Sequence, residues 1–327
     1  MVEPKVSCWV IDHPAHAQAL LPFIKEGSTN DLIVATIRPD VKHLIAESEG
    51  IMPRREIIWV ERPAGPSVGK IGKVLIARRR IKQIERALRG RQSTEREIEQ
   101  VIAIAAPLEL IAAKRAGVKK RLYISDNEID HISHRLALRS ANQILVPESW
   151  NQELDGGFLL KVNKANKSVH RFPGNKSHVY LRPATIATSN DSGKRILVRR
   201  LIGGGVHDSE MISLGKINLD CTIDEHTEGD MIEQPWSLPN NTLNYHGVIT
   251  QSVSLATESA SLGVPTLLVS KAKRGVFTSL VELGVLTTIQ ESNDQNGRFI
   301  EWLENLENFM ISEWPDALNT WRDVIQN

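Results

Sequence analysis

The sequence predicts an α/β protein built from two Rossmann-like domains in tandem, and three observations carry that prediction. Short β-rich runs alternate with helical stretches through the first half of the chain. The runs are apolar on both faces, the mark of a parallel sheet covered by helices on each side. A Pro-, Gly-, Asn- and Ser-rich segment follows, and beyond it a second strand–helix series starts at "RILVRRL".

In order, strands are expected at "KVSCWVI", "DLIVATI", "EIIWVE", "QVIAIA", "RLYIS" and "NQILVP". Helices such as His16 to Lys25 and Val68 to Arg89 lie between them. The second series continues through "INLDCTI", "HGVITQ" and "PTLLVS". The linker spans Pro183 to Gly193, giving domains at residues 1–185 and 186–300 and a helical segment at 301–327 that packs back. Trp302, Trp314 and Trp321 in that last stretch read as a buried stripe.

A chain of 327 residues is long enough for two domains with proper cores. With 41% hydrophobic and 24% charged residues it falls among soluble globular proteins. A net charge of +1 excludes a globally basic nucleic-acid binder, and no aromatic residues interleave with the basic run from Lys70 to Arg91, so no nucleic-acid partner is expected. Two cysteines, Cys8 and Cys221, form neither a disulfide framework nor a zinc pattern and suit a reducing interior. The opening "MVEPKVSCWV" has no apolar run behind a basic start, and no stretch is long and apolar enough to span a bilayer. The expected location is cytoplasmic, and the Asn-x-Ser/Thr triplets at Asn166, Asn175 and Asn240 are read as chance.

Two such domains imply a facing cleft, with ligands beyond the carboxyl ends of the strands. Asp12, His13 and His16 sit in the loop after the first strand. A helix N-terminus favours neutral imidazole, the form a general base needs. Either histidine fits that role, with Asp12 orienting it; helix capping by Asp12 or His13, with Pro14 in the first turn, is the alternative. In the second domain, a strand runs through Gln251, Ser252, Val253 and Ser254 into a helix bearing Glu258, which Gly263, Val264 and Pro265 end. This strand–loop–helix is suited to a phosphate, and Glu258 to ribose hydroxyls; an ordinary βαβ unit is the alternative. Gly203, Gly204 and Gly205 follow the first strand of that domain, near His207, and suit a pyrophosphate or simply a pliant loop. They do not make a dinucleotide fingerprint.

From Lys70 to Arg91 the chain carries nine basic residues and one acid, Glu85, beside apolar Ile71, Val74, Leu75, Ile81, Ile84 and Leu88. The stretch is a solvated basic helix or one that rests on an anionic membrane surface, at the inner face of the membrane.

These motifs carry a resemblance. "IDHPAH", "SDNEIDHISHRLALRSANQILVPESW", "GNKSHVYLRP" and "TESASLGVP" resemble, in order, signatures of the domain of unknown function 354 family. That family is of the two-domain GT-B type and is similar to nucleotide-sugar glycosyltransferases and to non-hydrolysing UDP-N-acetylglucosamine 2-epimerases. Relatives commonly have a Gly-Gly pair where this chain has Gln251 to Ser254, and a histidine where it has Ile129; His131 and His134 lie nearby.

The resemblance implies a metal-independent glycosyltransferase using a nucleotide-sugar, with no other cofactor and an unknown, lipid-linked or polysaccharide, acceptor. Glu258 would hold the ribose, and Gly203 to Gly205, Ser252 and Ser254 would meet the diphosphate. Arg199, Arg200, Lys271, Lys273 and Arg274 are candidate counter-charges, although Arg199 and Arg200 cannot face one way on a strand. An epimerase or hydrolase would instead use carboxylates near the sugar, for which Asp126, Glu128 and Asp130 are available. A non-catalytic binding protein with an altered donor loop is the reading from another class.

Overall fold

A computed structural model describes residues 5–62, 69–92, 97–183, 193–202, 210–228, 230, 234–291, 294–306, 311 and 313–327. Gly203 to Gly205 and His207 lie outside these residues. The chain divides into two compact units, one of Met1–Tyr180 with Asp316–Asn327 and the other of Leu181–Pro315.

The first unit runs β1 (Ser7–Ile11), α1 (Pro14–Glu26), β2 (Leu32–Thr36), α2 (Pro39–Ala46), β3 (Glu56–Val60), α3 (Lys70–Arg91), β4 (Gln100–Ile104) and α4 (Pro107–Ala116). It continues with β5 (Lys120–Ile124), α5 (His131–Ser140), β6 (Gln143–Pro147), α6 (Phe158–Lys164), β7 (Ser168–Phe172) and α7 (Ser177–Tyr180). All strands pair in parallel, in the order β3-β2-β1-β4-β5-β6-β7. Side chains alternate across the sheet. Cys8, Val10, Val34, Ala103 and Tyr123 pack against Ile84 and Leu88 of α3, Leu110 of α4 and Ala137 of α5. Trp9 and Ile11 are equally buried, which is why these strands read as unbroken apolar runs.

The second unit runs β8 (Arg195–Arg200), β9 (Thr222–Thr227), α8 (Leu238–Asn241), β10 (Gly247–Thr250), α9 (Val253–Ser261), β11 (Thr266–Val269), α10 (Gly275–Glu282), β12 (Leu286–Ile289) and α11 (Gln295–Glu304). Its parallel sheet has the order β12-β11-β10-β8-β9. Ala256 of α9 and Phe277 of α10 cover one side, and Phe299 and Trp302 of α11 the other. Gly247 permits the Trp302 contact, because a Cβ there would stand 2.6 Å from the indole Cη2.

The predicted tryptophan stripe is split between two cores. Trp302 belongs to the second unit, whereas Trp321 of α12 (Ala317–Gln326) lies in the first. There Trp321 stacks on Phe23 at 6.1 Å and meets Phe172 edge-on at 5.4 Å. Two other expectations move. "INLDCTI" reaches the sheet only at its end, since β9 begins at Thr222, and β7 was not anticipated. Both are half-exposed edge strands whose polar residues break the apolar run.

The order of each sheet reverses at one place, between β1 and β4 in the first and between β8 and β10 in the second. Loops beyond the carboxyl ends at such reversals are where open α/β sheets bind ligands. Those loops carry Asp12 to His16 in one unit and Arg199 to Ile202 with Gln251 to Val253 in the other.

Candidate functional site

In the first unit β1 delivers the chain into Asp12 and His13, and α1 starts at Pro14. His13 has extended backbone, and its Nδ1 accepts a hydrogen bond from the Ala15 amide at 3.2 Å, so the histidine itself caps the helix. An imidazole that accepts at Nδ1 carries its neutral-form proton on Nε2. His16 stands one turn on, with its ring 5.8 Å from that of His13. Its Nδ1 is buried and has no hydrogen-bond partner among the described residues.

The Asp12 carboxylate makes no hydrogen bond to either ring. It accepts from Thr36 Oγ1 at the end of β2 and from Arg80 Nη2 at 3.1 Å. Arg80 comes from α3 and is only 3% exposed. Its Nε donates to Glu109 Oε1 at 2.5 Å, its Nη1 to the Glu61 carbonyl at 2.9 Å and its Nη2 also to Thr36 Oγ1 at 2.9 Å. One guanidinium thus ties the β1 loop to the ends of β2 and β3 and to the first turn of α4. Burial raises the pKa of Asp12, but Arg80 and the Thr36 hydroxyl outweigh it and hold the carboxyl below its ordinary value. Burial raises that of Glu109, with Arg80 opposing.

Two further cations flank the histidines. Arg38 forks onto Asp40 at 2.9 and 2.6 Å, and Lys176 pairs with Asp126 at 2.8 Å. Burial, then the Arg38 charge, pushes the His13 pKa down to about 4; burial, then Lys176 and His13, pushes that of His16 down to about 3. Both rings are therefore neutral near pH 7. Burial disfavours ionised Asp126, yet Lys176 holds its pKa below the ordinary value. Beside β1, Ala105 leaves β4 with φ of 49°, a left-handed conformation that a residue with a Cβ adopts at a cost of about 1–3 kcal/mol.

Asp126 thus joins Asp12, His13 and His16, while the rest of the acidic segment does other work. Glu128 is buried and accepts from the Asn151 amide at 3.0 Å, bracing the loop after β6. Asp130 caps α5 through the Ser133 amide at 3.2 Å. His134 is 2% exposed and stacks on Phe158 at 4.4 Å. Arg38, Arg80 and Lys176 escaped sequence reasoning. Lys176 lies inside "GNKSHVYLRP", Arg80 inside the basic run and Arg38 directly after β2, so a search of every strand-end loop for cations finds two of them.

In the second unit Ser252 caps α9, its Oγ accepting from the Leu255 amide at 3.4 Å. Val253 opens the helix, and none of residues 251–254 takes positive φ, so no glycine is needed here. Gln251 is a brace, accepting from the Leu201 amide at 3.0 Å and donating to the Ile212 carbonyl at 2.5 Å. Ser254 is half-buried in the first turn, and Glu258 is 6% exposed in the middle of α9.

The candidate counter-charges separate cleanly. Arg200 forks onto Glu225 at 2.6 and 3.3 Å, and Arg274 donates two buried hydrogen bonds to the Glu210 carboxylate, each of 2.9 Å. Arg199 points the other way from β8, as strand alternation requires. Its Nη1 is buried without a hydrogen-bond partner among the described residues, its backbone carbonyl receives the Gln251 amide, and it therefore stands at the β8–β10 reversal beside the start of α9. Burial lowers the Arg199 pKa, with Asp230 and Glu228 opposing. Lys271 and Lys273 are exposed.

No family model matches this sequence, and no curated protein matches it significantly. Solved structures do. UDP-GlcNAc 2-epimerase from Neisseria meningitidis, bound to UDP-GlcNAc, superposes with a TM-score of 0.59 at 14% identity, covering 98% of each chain. MurG of Acinetobacter baumannii gives a TM-score of 0.56 at 13% identity over 99% of each chain. A UDP-glucosyltransferase from Polygonum tinctorium gives 0.58 at 10% identity, again over 99% of each chain. Two parallel-sheet units that superpose on these structures along nearly the whole length give the chain the GT-B fold.

Proposed function

We propose that this chain transfers the sugar of a nucleotide-sugar to an acceptor hydroxyl, with the donor bound by the second unit and His16 of the first as general base. The observation that carries the assignment is the division of labour between the two histidines. His13 spends its Nδ1 lone pair on the helix cap and so presents only an N–H from Nε2. His16 has no such bond, can hold its proton on Nδ1, and offers the Nε2 lone pair. In the reaction Nε2 takes the acceptor proton and the acceptor oxygen bonds to the anomeric carbon. The bond from that carbon to the diphosphate oxygen breaks, and the electron pair leaves on the nucleoside diphosphate. Arg199 and the free amides at the start of α9 offset the departing charge, with Ser254 in the same turn and Glu258 on the ribose. The His16 pKa is low for a base, and a negative charge brought beside the ring would raise it.

The solved structures that share the fold include a UDP-GlcNAc complex and a UDP-glucosyltransferase, which supports a UDP-sugar donor. Within that superfamily the residue matches favour the domain of unknown function 354 group. The acceptor we assign is lipid-linked or polysaccharide, met at the inner face of the membrane. Among the described residues no helix is long and apolar enough to cross a bilayer.

The test is product analysis with UDP-, GDP-, dTDP- and CMP-sugars. Expected is release of a nucleoside diphosphate from a UDP-, GDP- or dTDP-sugar, with the CMP-sugar left intact, and the release is reduced about 100-fold or more in His16→Asn. His13→Asn, which keeps a capping side chain, loses much less. An epimerised sugar nucleotide without release would move the chemistry to an epimerase, and tight binding of an unchanged donor would leave a binding protein.

A further inference from the structure

The basic helix α3 has two opposite stripes. Arg80, Ile81, Ile84 and Leu88 face the core and are at most 7% exposed. At 100° per residue the opposite stripe is Ile71, Leu75, Arg78, Lys82 and Arg86, with Val74 between the two stripes. Ile71 is 79% exposed, Val74 51% and Leu75 49%, among the most exposed large apolar side chains described. Lys73, Arg78, Arg79, Lys82 and Arg86 are exposed, and none forms an ion pair among the described residues. The helix is thus clamped by its C-terminal half, through Arg80 and three aliphatic side chains, while its first turns present an apolar tip followed by a row of cations.

We infer that α3 is a docking helix for an anionic lipid surface, with Ile71, Val74 and Leu75 entering the interfacial layer and Arg78, Lys82 and Arg86 meeting the headgroups. The charge settles the kind of partner. A protein groove for an apolar tip does not demand a row of unpaired cations behind it, and a nucleic acid does not demand the apolar tip. A bilayer with acidic headgroups offers hydrocarbon and negative charge to the same helix face. The inference rests on the exposed stripe alone and stands whether or not the chain transfers sugars.

The experiment is co-sedimentation of the full chain with vesicles of phosphatidylcholine alone or with about 30% phosphatidylglycerol, which supplies the negative surface potential that attracts basic segments. Expected is binding to the acidic vesicles only, weakened as salt rises. Ile71→Ser/Leu75→Ser should lower the partition coefficient about tenfold or more, and Arg78→Gln/Lys82→Gln about thirtyfold. All four positions are exposed, and circular dichroism confirms that each variant is folded. Equal binding to neutral vesicles, binding unchanged in both variants, or no binding at all would overturn the inference. So would a concentration-dependent dimer that Ile71→Ser/Leu75→Ser abolishes, or retention on a polyanion without binding to vesicles.

Discussion

Arg80→Met removes the guanidinium at the centre of the first unit's charged network while keeping the volume of its stem. Glu109 is 1% exposed, and Arg80 is its ion-pair partner at 2.5 Å. Removing one partner of a buried pair costs about 3–5 kcal/mol, because the remaining charge stays desolvated. In a domain of this size that lowers the melting temperature by roughly 6–20 °C. The Glu109 carboxyl, already raised by burial, rises further once the cation is gone. Its folded pKa then exceeds the unfolded one, so the folded variant gains most from protonation in acid and loses that gain as pH rises through the folded value. The deficit against wild type should therefore shrink as pH falls and grow as pH rises. Urea unfolding at several pH values reads this, and Arg80→Met/Glu109→Gln should recover much of the loss. A cost below about 1 kcal/mol, or a double variant no more stable than the single, would refute the idea that the network is a closed electrostatic unit.

Other outcomes follow from single contacts. The His134 ring, packed on Phe158, has its pKa pushed by burial down to about 4 from 6.5. The unfolded chain therefore takes up that proton first, and up to about 3 kcal/mol of stability present above pH 6.5 disappears as pH falls toward 4. His134→Phe should flatten that part of the pH–stability curve. Ala105→Gly relieves the left-handed strain after β4 and should stabilise the protein by about 1 kcal/mol, read from the urea midpoint. Ser252→Ala should cost about 1 kcal/mol as a lost cap, in contrast to Arg199→Met, which should leave stability nearly unchanged and weaken nucleotide binding. Trp321→Ala should cost about 3–5 kcal/mol and destabilise the first unit although the residue lies close to the end of the chain.

The buried strands were legible in the sequence because both faces of each sheet are covered, so the apolar runs at β1, β2, β4, β10 and β11 are unbroken. The edge strands β7 and β9 were not, since solvent admits His170, Arg171, Asp224 and Glu225 there. The tryptophans misled because burial leaves the same trace whichever core does the burying. At the site, Asp12, His13 and His16 were legible as a strand-end cluster. Which imidazole is free was not, because that depends on one amide, Ala15, reaching one ring nitrogen. Arg80 was hidden by company. Eight other basic residues surround it in the run from Lys70 to Arg91, and only the helix phase separates the buried one from the solvated ones. Arg199 and Arg200 show the same thing on a strand, where one residue of register sends one side chain to Glu225 and the other to the sheet reversal.

The central claim is that the second unit holds a nucleotide-sugar through Arg199 and the start of α9, and calorimetric titration tests it most directly. UDP and UDP-GlcNAc should bind the wild-type chain saturably, with Kd raised about tenfold or more in Arg199→Met and in Glu258→Gln. Absence of binding for every nucleotide tried, or binding equally tight in both variants, would contradict the account and leave the GT-B fold without its donor site.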